Sequence, residues 1–414
     1  MSLSKLLFVI AATLLLTACK IQINVPQGGR VESVSGTYLC SSGESCVVDV
    51  VDATFDETFT AVPDTGYTFA AWQRRRGAFC AGSDRPCRLF TTLFEGTAFM
   101  QFVEADTTYY LAPDFALSNQ WRQGTDWQNP SGAISSCAVK GNVYVFGIGW
   151  KSYSSVPQGV AKYDAVNDRW MSLPDMPSRQ AWATVGVVGG KCYVIGGASS
   201  FGGVASTAVY EFDPSNETWR SRAPLPERRT MAASAVVGNK IHVIGGGDKD
   251  SFLPTIRSSV VIYDPASNSW TQGADMPTPR FLLAAAAIDG KVYAMGGSAN
   301  ANDIHTDIVE RYDPATDSWS TVASMLNRKR GQSASILRGE IYSVGGVAMG
   351  FGLSSLVESY DPQGDRWINR PDLKKPRFGH NSLTVDGHII AFGGFSSSRD
   401  LTGPAVAETE IYTD

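Results

Sequence analysis

Five octapeptides recur along this 414-residue chain: YDAVNDRW from Tyr163, FDPSNETW from Phe212, YDPASNSW from Tyr263, YDPATDSW from Tyr312 and YDPQGDRW from Tyr360. Their closing residues, Trp170, Trp219, Trp270, Trp319 and Trp367, are separated by 49, 51, 49 and 48 residues. Diglycines at Gly196-Gly197, Gly245-Gly246, Gly296-Gly297, Gly345-Gly346 and Gly393-Gly394 keep the same spacing, and a degraded copy, FGIG, places Gly147 49 residues before Gly196. Two independent markers in one register establish an internal repeat. A unit of this length cannot bury both of its faces alone and must stack on its neighbours.

Each unit reads as four short strands. In one copy FLLAAAAIDG is a strand and turn, KVYAMGG a second strand, DIVERYD a third and SWSTVA a fourth. Asp-Pro sets the bend between the last two, the flanking Tyr and Trp are large enough to fill a wedge between sheets, and the diglycine marks close backbone approach. The diglycine, the Tyr and the Trp, held in order through six copies, resemble the kelch repeat. That resemblance implies an all-β fold, a six-bladed propeller over residues 113–414. Its last unit runs through Gly393 to Tyr412 and stops at Asp414 without a Trp, whereas Trp121 lies 49 residues before Trp170. A segment near 118–128 is therefore expected to supply the outer strand of the last blade, closing the ring and removing a sheet edge.

The residues before the repeat differ in texture. Residues 1–18 read as a signal peptide, with an apolar run from Leu6 to Leu16 too short to span a bilayer comfortably. Leu16-Thr17-Ala18-Cys19 resembles the lipobox of bacterial lipoproteins, which implies lipidation at Cys19 and a membrane partner reached through that anchor. With Lys20 following the cysteine, the outer membrane of the cell envelope is the expected location. Residues 19–27 then read as a tether and 28–112 as a small β-domain. With Cys19 set aside, Cys40, Cys46, Cys80, Cys87, Cys137 and Cys192 remain, an even number that in an exported chain reads as disulfides. Cys40/Cys46 and Cys80/Cys87 bracket short loops; Cys137 and Cys192 sit on neighbouring blades, as a disulfide or as two buried thiols. Gly29-Arg30-Val31, the two close Cys pairs and the AVPDTGYTF run ending at Trp72 resemble the divergent internalin-type B-repeat, a module that usually acts as a spacer or adhesive unit. A domain this small gains much of its stability from such bonds.

Topology sorts the propeller loops. With strands a to d antiparallel, the b–c and d–a connections share one face; the b–c loops are the long, irregular ones, and long loops on a rigid frame are where binding concentrates. The d–a connections carry Arg179, Arg229, Arg280, Arg330 and Arg377 just before strand a, with Arg228 and Arg328 beside them. Guanidinium groups there suit carboxylates and phosphates, although a structural role between blades accounts for the same pattern. Trp150 and Phe201, in b–c loops, are candidates for stacking on sugar rings.

Catalytic constellations are sparse. There are four histidines, His242, His305, His380 and His388, and none forms a triad or a zinc spacing with its sequence neighbours. Copper enzymes of the kelch type need two His and a Tyr–Cys crosslink, and neither propeller cysteine has the paired His nearby. Asp303, His305 and Asp307 alternate in one loop, a weak cation pattern. No cofactor or metal is called for. The net charge of −5 argues against a nucleic-acid partner. The sequence thus points to a lipid-anchored envelope protein whose propeller face binds a glycan or protein ligand. The alternative is a carbohydrate enzyme resembling the kelch-type sialate mutarotases, which act on acidic sugars.

Overall fold

The computed structural model describes residues 19–50, 55–64, 66–74, 77–83, 85–90, 108–117, 120–148, 158–199, 203–249, 255–299, 304–350, 352–397 and 404–413. Every helix-or-strand element among them is a strand. The chain divides into two compact units, Met1–Ala116 and Leu117–Asp414.

The first unit holds a four-stranded sheet, in the order Leu39–Cys40, Gly29–Ser33, Asp56–Pro63, Cys87–Phe90, and a three-stranded one with Cys19–Asn24 at its centre. The expected tether at 19–27 is thus largely a strand. Cys19–Asn24 pairs antiparallel with Ser45–Val50 and parallel with Thr108–Leu111. Its pattern explains why: Ile21 and Ile23 alternate with polar residues, and both point into a core that includes Val31, Phe59, Trp72 and Leu111. Disulfides Cys40–Cys46 and Cys80–Cys87 close the two short loops.

The second unit is a ring of six four-stranded blades. Strand a of blades 1 to 6 is Ser135–Val139, Thr184–Val188, Ala233–Val237, Ala284–Ile288, Ser333–Leu337 and Asn381–Val385. Strands b, c and d follow in antiparallel order within each sheet. In blade 6 the outermost strand is Gln120–Gln123 from the start of the unit. Trp121 pairs with Tyr412, their rings 5.1 Å apart, so the closure expected from the repeat spacing is present.

The octapeptide is a joint between blades. The hydroxyls of Tyr163, Tyr263, Tyr312 and Tyr360 donate to Asp168, Asn268, Asp317 and Asp365, at 2.5–2.7 Å. These acceptors lie at φ between +45° and +51°, a conformation that Asp and Asn tolerate better than most residues. The same oxygens accept the backbone N–H of Thr125, Ala223, Ala274 and Ala323, each leaving strand d of the preceding blade. The carbonyls of those four residues in turn accept the indole N–H of Trp170, Trp270, Trp319 and Trp367. Trp121 makes the corresponding bond to the Pro371 carbonyl at 2.8 Å.

The diglycines make the inner joint. At Gly245-Gly246 both residues have positive φ, and a Cβ on either would lie 2.5 or 2.7 Å from a backbone carbonyl oxygen. Gly246 donates its N–H to the carbonyl of Arg280 in the next blade, and Gly197, Gly297, Gly346 and Gly394 do the same at 2.8–2.9 Å. Around the axis Ala133, Trp182, Met231, Leu282, Gly331 and Gly379 form a closed ring of six N–H to carbonyl bonds, 2.8–3.3 Å long.

Candidate functional site

Counting from each tryptophan shows what the d–a cations do. The residue ten positions after Trp121, Trp170, Trp219, Trp270, Trp319 and Trp367 is Ser131, Gln180, Arg229, Arg280, Lys329 and Arg377. All six are buried. Their side chains enter their own blade: Arg280 Nη1 donates to the carbonyls of Gly296 and Ile308, and its Nη2 to Glu310 at 2.7 Å. Arg377 reaches the carbonyls of Gly393 and Glu408 and pairs with Glu410 at 2.6 Å. Lys329 pairs with Glu358 at 2.9 Å. Burial pulls the pKa of all three cations down, and the adjacent glutamate opposes that pull in each.

Arg229, Arg280 and Arg377, expected at the mouth of the propeller, are therefore held inside the blades, in the structural role the sequence also allowed. Arg330 is one residue past this register. It is buried too, in a short strand beside Val347–Ala348, with its guanidinium 5.8 Å from the Phe378 ring centre. The cations share their blades with Glu310, Glu358 and Glu410, which sequence reasoning missed. Their signal was a Glu two residues before the strand-c tyrosine, at Tyr312, Tyr360 and Tyr412.

Arg179 has a different fate. It stands nine residues after its tryptophan, as do Arg228 and Arg328, and all three are exposed. Consecutive residues of an extended segment face opposite sides, so a shift of one position moves a cation from the interior of a blade to its surface. Arg328 lies 3.6 Å from Asp307. Arg179 and Arg228 make no hydrogen bond or ion pair among the described residues.

These two arginines line one groove on the b–c/d–a face over blade 2, Arg179 on the connection that enters that blade and Arg228 on the connection that leaves it for blade 3. It encloses about 660 Å³, within the range of small-ligand sites, and Gln158, Ser206, Thr207 and Tyr210 contribute to its walls. No carboxylate lines it among the described residues. Tyr210 stands on strand c of blade 2, where the charged blades carry their glutamate. Trp150 and Phe201 lie outside the described residues, as does Asp303.

A second cavity, about 220 Å³, follows the axis past the hydrogen-bonded ring and is walled by the first residues of the six a strands. At the ring Trp182, Met231 and Leu282 pack with Phe281, Phe378 and Phe395 into an apolar plug. Beyond the plug His380 Nε2 is 2.9 Å from the Ser333 hydroxyl, which also bonds Ser382. Burial, then the charges of Arg377 and Lys329, hold the His380 pKa well below 6.5, so the imidazole is neutral. With its Nδ1 buried and unpartnered, this histidine lacks the orienting acid that a serine–histidine nucleophile requires.

Two overlapping stretches, residues 133–346 and 182–394, match the family model described as KLHDC2/KLHL20/DRC7 Kelch-repeats domain. The chain belongs to the kelch-repeat family. Among solved structures the kelch unit is similar to that titled "Structure of YjhT", with a TM-score of 0.60 at 17% identity over 70% of this chain and 96% of that one. At that identity the likeness shows the fold alone. No curated protein matches the chain. In this kelch propeller the buried d–a cations stabilise blades, whereas Arg179 and Arg228, without a partner among the described residues, flank blade 2.

Proposed function

We propose that this protein is a lipid-anchored component of the cell envelope, held at the outer membrane through Cys19, whose propeller binds an acidic glycan in the groove over blade 2. The observation that carries the reading is the pair of exposed guanidinium groups, Arg179 and Arg228, without a partner among the described residues and lining one groove. Arginine meets a planar carboxylate with two parallel hydrogen bonds, and a carboxylate on a sugar ring is such a group. Gln158, Ser206 and Thr207 offer partners for ring hydroxyls, and Tyr210 offers an aromatic surface. The N-terminal unit, which resembles B-repeats in sequence, serves as the spacer between anchor and propeller.

Binding is favoured over turnover because proton transfer at a sugar ring needs an acid or base in place. The carboxylates closest to the buried cations, Glu310, Glu358 and Glu410, are engaged in their own blades.

The test is a titration of the full chain against a panel of uronic- and sialic-acid oligosaccharides and their neutral counterparts. Acidic members are expected to bind, more weakly as salt rises. Replacing both Arg179 and Arg228 by Ala should lower affinity at least about tenfold, since each charge-assisted bond contributes about 1.5–3 kcal/mol. Equal binding of neutral and acidic glycans, or unchanged affinity in the double variant, would overturn the reading.

A further inference from the structure

The joint at one edge of the groove, between blades 1 and 2, is built unlike the others. Five of the six blade joints carry an indole N–H to carbonyl bond at the outer rim, made by Trp121, Trp170, Trp270, Trp319 and Trp367. At the joint between blades 1 and 2 the corresponding indole N–H, of the half-buried Trp219, is buried without a partner among the described residues. The Tyr hydroxyl, its acceptor and the backbone N–H of the latch are all altered there. Phe212 replaces the tyrosine and has no hydroxyl to donate. Glu217 replaces the Asp or Asn acceptor. Pro174, four residues after Trp170, has no N–H to offer, a lack shared by Pro371 at the joint between blades 5 and 6, where Trp121 still makes its bond. The inner register is weakened as well, because Gln180 is buried with neither amide atom bonded, and the second glycine of blade 1 is Ile148.

What spans this joint instead is covalent. Cys137 on strand a of blade 1 is bonded to Cys192 on strand b of blade 2, both buried in a cluster with Phe146, Phe212 and Val194. The groove reaches across this joint: Gln158 comes from blade 1 and Arg179 from the connection between the two blades, while Ser206, Thr207 and Tyr210 come from blade 2 and Arg228 from its exit to blade 3. We propose that this joint is the seam of the propeller and that the Cys137–Cys192 bond is a redox lock on it. Oxidised, the two walls of the groove are held in register; reduced, the seam opens locally and the site is lost. Reduction by a dithiol passes two electrons and two protons to the bond, giving two thiols and leaving the reductant as a cyclic disulfide. The effect on ligand rests on the glycan-binding reading; the seam itself does not.

Hydrogen exchange on the full chain without ligand tests the seam. In the variant Cys137→Ser with Cys192→Ser, amides of Arg169–Leu173 and Thr218–Ser221 should exchange at least about tenfold faster, while Ser269–Gly273 and Ser318–Val322 keep their protection. Rebuilding the latch in that background with Phe212→Tyr, Glu217→Asp and Pro174→Ala should return protection to the seam. Uniform loss of protection in all blades, no change at the seam, or no rescue by the rebuilt latch overturns the proposal. Should the serine variant fail to fold, the rebuilt latch is placed in the wild-type chain and both proteins are treated with dithiol. Seam exchange should then rise only in the chain without the latch, and equal rises overturn the proposal. Glycan affinity is measured in parallel: a seam that opens without loss of binding overturns the lock, and absence of binding in the oxidised protein faults the groove reading alone.

Discussion

Blades 4, 5 and 6 each bury a cation against a glutamate, whereas blades 1, 2 and 3 keep the same backbone position without a carboxylate opposite. In blade 3 Arg229 still donates to the carbonyls of Gly245 and Ser259 and to the Ser259 hydroxyl, but its nearest acid, Glu227, is 3.8 Å away and half exposed. Burial, helped by the charge of Arg257 and only partly offset by Glu227 and Asp275, pushes its pKa down to about 10. In blades 2 and 1 the position is Gln180 and Ser131, and the charge is absent. The contrast teaches that the position is buried in every blade, that a cation there is held by backbone carbonyls, and that a close counter-ion is supplied in three of the four blades that carry the charge.

That contrast can be broken most forcefully in blade 4. Glu310→Ala strands the Arg280 guanidinium in the interior and should cost about 3–5 kcal/mol of propeller stability by urea denaturation, whereas Arg280→Met with Glu310→Leu should be close to neutral. The uncharged half responds less. Arg229→Met removes bonds to carbonyls and leaves no orphaned acid, for an expected loss of about 1–3 kcal/mol. If it cost more than Glu310→Ala, the distinction between the two halves would fail.

A pH series sharpens the same comparison, because His380 lies beside Lys329 and Arg377 in the charged half. The native state keeps this imidazole neutral, while the unfolded chain takes up a proton below its ordinary pKa of about 6.5. Stability should be fully present above that value and fall as pH drops beneath it, by at most about 1.4 kcal/mol per pH unit from this site. His380→Asn should flatten part of that slope in urea titrations between about pH 7.5 and 5.5; an unchanged slope would remove His380 from the account. The smallest effect is expected at an outer latch. Tyr263→Phe removes one hydroxyl bond to Asn268 and should cost about 1 kcal/mol, read as a shift in the urea midpoint.

Much of the fold was legible along the chain. The spacing of Trp170, Trp219, Trp270, Trp319 and Trp367 carried six blades, and the missing tryptophan after Tyr412 with the extra one at Trp121 carried the closure. The strand at Cys19–Asn24 was less legible, because a short alternation of Ile21 and Ile23 next to a cleavage motif reads equally as a tether until Ser45–Val50 and Thr108–Leu111 are seen on either side. The arginines were the hardest to separate. Arg228 and Arg229 are adjacent in sequence and identical in chemistry, yet one lines the groove and the other is 1% exposed inside a blade.

Periodicity is a property of the chain in one dimension, and it sufficed to determine the number of blades, their order and the strand that seals them. Which cation faces solvent, which joint lacks its latch and which cysteines bridge blades depend on the direction of each side chain and on what packs opposite it. A neighbour roughly fifty residues away decides those matters, and only folding brings it within bonding distance.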